Sequence, residues 1–197
     1  MLRLIALQTQ HGSLHGRLGL PEHPRGLILI VRTHRLDEDE QTAAEFEARG
    51  YATLLIDLLT TQELQFVDAT QNVPRLAQRL LDMLDLIRND GDMQVLPLCL
   101  YANGDTAPAA IRCAAQRDIQ VKALACHGGL IDRAGVQSLE LMVAPLLMLF
   151  DHDDELAPAA FQRAARHLGG PHETRRLGPL DNPLPAVADW FARHLGN

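Results

Sequence analysis

Attack on a carbonyl needs a nucleophile, a proton acceptor and a place for developing negative charge. This sequence is poor in the first of these. It contains two serines, Ser13 and Ser138, and three cysteines, Cys99, Cys113 and Cys126. Cys126 stands beside His127, which suggests thiol chemistry, but adjacent residues of a strand point to opposite faces, so the two should not meet. Asp105, within Asn103-Gly-Asp-Thr-Ala107, is a carboxylate able to attack; the same residue reads as a helix N-cap ahead of Thr106 and Pro108. The run Phe150-Asp-His-Asp-Asp-Glu155 offers Asp151, His152, Asp153 and Glu155 as metal ligands. Consecutive residues seldom converge on one ion, and neither His-x-x-x-His nor Asp-x-Asp-x-Asp-Gly occurs, so the run reads as a solvated acidic loop. His127 is the histidine best placed to line a pocket, with a hydrogen-bonded loop residue as the plainer reading. No Gly-x-Gly-x-x-Gly or Walker-type loop is present; Gly128-Gly129 and Gly169-Gly170 read as turns.

The elements that must position these residues alternate along the chain. Leu2–Thr9 and Leu14–Leu20 form a strand pair across the turn Gln10-His-Gly-Ser13. Apolar runs at Gly26–Val31, Tyr51–Leu58, Val95–Tyr101, Val121–Cys126 and Ala144–Phe150 suit strands covered on both faces, and Glu173–Leu177 is a last strand. Helical spacing marks Asp39–Arg49, ending at Gly50, and Val73–Arg88, where Leu76, Leu80, Leu81, Leu84 and Ile87 make one stripe. Further helices fit Ala107–Gln116, Pro158–Leu168 and Leu184–Leu195. Repeated strand–helix–strand units predict a mostly parallel sheet with helices on both faces, and ligands beyond the carboxyl ends of its strands.

Composition narrows the partners. The 197 residues suit one domain, 47% apolar and 22% charged, with 25 acids against 18 basic residues and a net charge of −7. That sign repels phosphate backbones, and aromatics at 4% leave few stacking platforms, so nucleic acid is not expected. The single lysine, Lys122, and the lack of any apolar run near the roughly 18 residues of a membrane span predict no membrane partner. Three widely spaced cysteines and an N-terminus too short for a signal peptide predict a reduced, cytoplasmic setting.

Several stretches together resemble the α/β-hydrolase superfamily, and within it the small dienelactone-hydrolase-like proteins. They are Gly16–Pro24 leading into Arg25-Gly-Leu-Ile-Leu-Ile30, then Gly50-Tyr-Ala-Thr-Leu-Leu-Ile-Asp-Leu-Leu-Thr60 and Cys126-His-Gly-Gly-Leu-Ile-Asp-Arg-Ala134. Val143-Ala-Pro-Leu-Leu-Met-Leu-Phe-Asp-His-Asp153 and Val187-Ala-Asp-Trp-Phe191 complete the set, so the likeness spans nearly the whole chain. It implies a sheet of about eight strands without a large lid domain, in one domain over 1–197.

The resemblance also implies a nucleophile turn after Leu98-Cys-Leu-Tyr101, where matching on the strand selects Asn103 and matching on the helix selects Asp105. The family's His-Gly oxyanion motif is replaced by Val31-Arg-Thr-His34, with Arg32 and Thr33 in its place and His34 a residue or two late. Asp153 fits the family's acid. The loop Gly178-Pro-Leu-Asp-Asn-Pro-Leu-Pro185, where the base should lie, has no histidine, and neither His172 nor His194 is well placed. Such parts act as a unit, each worth on the order of 10⁴–10⁶ in rate.

The sequence therefore predicts a protein of this fold that has lost ester hydrolysis and serves as a ligand-binding, regulatory or scaffolding protein. Candidate catalytic residues are Asp105, Asp153 and His127. Arg32, Thr33, His34, Asn103 and Gly104 are candidate contacts for a small acyl or aromatic ligand. No metal or cofactor is expected; a homodimer is compatible with the sequence, which leaves the oligomeric state open. The alternative is an active hydrolase with Asp105 as nucleophile and a histidine drawn from His127, His34 or His152.

Overall fold

The computed structural model describes residues 1–9, 12–34 and 36–195. Gln10 and His11, half of the turn expected at 10–13, and Arg35, inside the first strand-end loop, lie outside them.

Among the described residues eight strands form one sheet: β1 Leu2–Thr9, β2 Gly12–Gly19, β3 Leu27–Arg32, β4 Ala52–Asp57, β5 Leu98–Asn103, β6 Val121–His127, β7 Leu146–Phe150 and β8 His172–Arg176. Their spatial order is β1-β2-β4-β3-β5-β6-β7-β8. β1 with β2 and β2 with β4 pair antiparallel; every later pairing is parallel. The helices are α1 Asp37–Ala48, α2 Val73–Asn89, α3 Ala107–Gln116, α4 Val136–Leu141, α5 Leu156–Ala165 and α6 Leu184–His194. None of the helices among the described residues is long and apolar enough to cross a membrane.

Alternation along the central strands divides the core in two. Leu29, Val31, Leu100, Ala102, Leu124 and Cys126 face α2 and α3, while Ile28, Ile30, Cys99, Tyr101, Ala123 and Ala125 face α1 and α6. α2 closes the first side because its stripe of Leu76, Leu80, Leu84 and Ile87 is buried, and Asn72 caps it by accepting the Arg75 N–H at 3.1 Å. α6 closes the second through Val187, Trp190 and Phe191, with the Trp190 indole N–H donating to the Leu124 carbonyl at 3.2 Å.

The expected mostly parallel sheet with helices on both faces is what forms. Details shift where local signals were weak. β5 starts at Leu98 because Val95 is exposed and Pro97 leads in, and it runs on to Asn103. α4 was not expected. Its six residues include exposed Val136 and Leu141, too short and too mixed for a stripe.

Candidate functional site

Between β5 and α3 the chain must turn from strand to helix within a few residues. Asn103 still has strand geometry (φ −132, ψ 135), and Gly104 follows with φ +50. That left-handed angle makes Gly104 the apex of the turn, between the two positions that strand-based and helix-based matching select. A Cβ built on Gly104 meets nothing within 4 Å, so the apex opens into free space and carries no side chain. Gly129, in the loop after β6 (φ +95), packs against this apex: a Cβ there would lie 2.3 Å from the Gly104 carbonyl oxygen and 2.7 Å from Ala107 Cβ.

Thr106 holds the turn from beneath. Its buried hydroxyl accepts the Asn103 N–H at 3.0 Å and reaches the carbonyls of Asn103 (2.9 Å) and Val31 (3.2 Å). One side chain thus ties the turn to the end of β3.

Asp105 is exposed in the first helical turn, and no hydrogen bond among the described residues reaches its carboxylate. The N-cap role considered for it is not what forms. It lines a cleft of about 280 Å³ with Gly104, Gly129, Leu130, Leu156, Arg133 and Asp154. No histidine lines this cleft among the described residues.

Arg32 is buried and engaged within the fold. Its Nε donates to Asp39 at 2.6 Å, its Nη1 to the Val31 carbonyl at 2.9 Å, and the guanidinium sits 5.2 Å from the Tyr101 ring centre. Burial pushes the Tyr101 phenol up to about 12, against the opposing influence of Arg32. Thr33 accepts the Leu59 N–H through its carbonyl at 3.1 Å. His34 lies elsewhere, in a hollow of about 410 Å³ shared with Ser13, His15, Asp57 and Thr60. Of the five residues considered as ligand contacts, Gly104 lines this cleft and Asn103 leads into the turn, while Arg32, Thr33 and His34 are not among the residues lining it.

His127, at the end of β6, is brought to Asp151 after β7, with Nε2 2.8 Å from Oδ1. Register places His127 beside Asn103 and Arg32 beside Asp57, so Asp57, Arg32, Asn103 and His127 occupy the carboxyl ends of four neighbouring strands. Sequence reasoning chose Asp153 as the acid; Asp153 is exposed and 3.8 Å from His152, not at His127. Asp154 is used locally, accepting the Leu156 and Ala157 N–H groups at 3.0 Å each. The missed signal was position: Asp151 directly follows its strand, and alternation aims it toward the face that His127 uses. Cys126 faces the α2/α3 side instead, and burial pushes its thiol up, as it does for Cys99 and for Cys113, the last to about 12.

After β8, Asp181 folds back to accept the Gly178 N–H at 2.7 Å, and this loop brings no imidazole. Among the described residues no group of three His, Cys, Asp or Glu side chains could hold a metal ion.

No family model matches the chain. Two Mycobacterium tuberculosis proteins, from strains CDC 1551 and H37Rv, bear the name "Putative phosphoribosyl transferase" and are 29% identical to it over 194 residues. The match covers 91% of this chain but 44% of each relative, so the chain spans less than half of their length. Among solved structures, a dienelactone hydrolase from Anabaena variabilis superposes with a TM-score of 0.86 at 24% identity, covering 100% of this chain and 99% of that one. Est1E from Butyrivibrio proteoclasticus gives 0.74 at 12% identity, with 96% of both chains covered. A cold-adapted esterase from an Arctic intertidal metagenomic library gives 0.76 at 16%, covering 99% and 94%. The fold is the α/β-hydrolase fold in a small form.

Proposed function

We propose that this chain is a dienelactone-hydrolase-like domain that has lost ester hydrolysis and works by binding a small ligand, in a regulatory or scaffolding role. One observation carries the reading: the apex of the strand-to-helix turn is Gly104, a residue with no side chain to attack a carbonyl. The cleft beside it supports binding. Leu130, Leu156, Val73 and Pro108 give it apolar walls, and among the described residues its charged groups are two carboxylates, Asp105 and Asp154, against one guanidinium, Arg133. That balance favours an uncharged acyl or aromatic compound over an anion. It also disfavours a ribosyl diphosphate, so the activity named for the longer mycobacterial relatives is not the one we assign to this chain.

A fluorogenic ester and thioester assay, run beside thermal-shift screening of small aromatic acids and their neutral amides, tests the reading. Turnover at the background rate together with a raised Tm for neutral compounds is expected. Turnover that disappears on Asp105→Ala or His127→Ala would overturn it.

A second reading, an active hydrolase using Asp105, has the His127–Asp151 pair in its favour as a ready proton acceptor. Against it stands the lack of a histidine among the described residues lining the Asp105 cleft.

A further inference from the structure

The sheet ends on β8, and all five of its residues, His172-Glu-Thr-Arg-Arg176, are exposed. A row of open backbone groups on an edge strand is a template for another strand. Which groups are open follows from the pairing with β7. Leu146 N–H donates to the Pro171 carbonyl and Leu177 N–H donates to the Phe150 carbonyl, so odd-numbered residues of β8 turn their backbone groups to β7. His172, Thr174 and Arg176 turn theirs outward.

Glu173 and Arg175 share the face toward α6, where they line a groove of about 610 Å³ with Leu147, Ala186, Asp189 and Arg193. Arg193 holds Glu173 at 3.1 and 3.2 Å. Arg175 makes no ion pair among the described residues. On an exposed edge this leaves the Arg175 guanidinium without an ion pair among the described residues.

We propose that this edge pairs antiparallel with the β8 edge of a second copy, extending the sheet across a two-fold axis at Thr174. Charge selects the register. A two-fold axis perpendicular to the sheet keeps each residue on its face, so opposed residues must have the same parity. Centring the axis on Glu173 sets Glu against Glu, and centring it on Arg175 sets Arg against Arg, both unfavourable. Centring it on Thr174 sets Glu173 opposite Arg175 twice. The same register makes Thr174 a hydrogen-bonded pair with its own copy, and His172 one with Arg176 of the copy, using the groups that β7 leaves open. This assembly does not depend on whether the Gly104 cleft binds a ligand.

Sedimentation velocity over a concentration series tests the pairing, with fold checked by circular dichroism. Wild type should be a dimer. Glu173→Arg and Arg175→Glu should each raise the dimer Kd at least about tenfold, because two attractive pairs become two repulsive ones. The double exchange E173R/R175E should restore dimerisation. Thr174→Pro removes an outward N–H and no bond to β7, so it should abolish the dimer in a folded chain. A wild type that stays monomeric to about 100 μM overturns the proposal. So does a dimer indifferent to the charge reversals and to Thr174→Pro, or a folded double exchange that remains monomeric.

Discussion

His127 Nε2 and Asp151 Oδ1 lie 2.8 Å apart, joining the ends of two neighbouring strands, β6 and β7. An ionised carboxylate only accepts, so the tautomer of the neutral ring that suits this pairing carries its proton on Nε2. Asp151→Asn should remove that preference and yield a mixture of tautomers, read from the imidazole nitrogen shifts by NMR. Asp151 is 55% exposed in its side chain, so the stability change should stay below about 1 kcal/mol in urea unfolding. With Gly104 at the turn apex, ester turnover should not change either.

Gly104→Cys would place a thiol in open space at the apex. The left-handed backbone there should cost about 1–2 kcal/mol, which leaves the chain folded. The native thiols of Cys99, Cys113 and Cys126 are all buried, and burial raises each of them. Under native conditions iodoacetamide should therefore modify the variant once and wild type scarcely at all, as counted by intact mass. Equal labelling of the two would show that Gly104 does not face solvent.

What the sequence showed and what it hid have physical causes. Strands β3, β4, β6 and β7 were legible because a strand buried on both faces is a continuous apolar run, as in Leu27-Ile-Leu-Ile-Val31. The turn was legible only to within a residue on either side. Asn103, Gly104 and Asp105 all suit a strand-to-helix turn by composition, and only the φ angle at Gly104 separates them. Asp151 was hidden among Asp153, Asp154 and Glu155, since type alone does not say which acid lies at the strand end. The pair formed by Glu63 and Arg79 left no sequence trace: one residue sits in a Thr- and Gln-rich loop, the other on the face of α2 that the loop covers.

Gly129→Ala tests the packing of the turn. The added methyl would meet the Gly104 carbonyl oxygen at 2.3 Å and Ala107 Cβ at 2.7 Å, both on rigid elements, and the residue would hold φ +95. Overpacking of about 1–3 kcal/mol and a left-handed penalty of about 1–2 kcal/mol together predict a loss of about 2–5 kcal/mol. Gly128→Ala, whose nearest neighbour is the Asp154 carboxylate at 3.5 Å, should incur only the backbone part. Paired urea titrations of the two variants read the difference.

Acid stability should report the ion pair under the loop after β4. Arg79 donates to both Glu63 oxygens, at 2.7 and 2.6 Å, and to the Leu58 carbonyl at 2.5 Å, and both partners are buried. The hydrogen bonds from Arg79, opposed by burial and helped by Thr60, hold the Glu63 carboxyl down at about 2, against an ordinary 4.5. A carboxyl lowered by folding contributes stability that is complete above its unfolded value and lost as pH falls through the folded one. The unfolding free energy should therefore drop by about 3 kcal/mol between pH 4.5 and pH 2 from this group alone. Glu63→Gln should remove that part of the pH dependence. It should also lower stability at pH 7 by about 3–5 kcal/mol, because Arg79 then stays buried without a counter-charge. Chemical denaturation of both proteins across this range checks the sign as well as the size, and a wild-type curve parallel to that of the variant would show that the pair does not form.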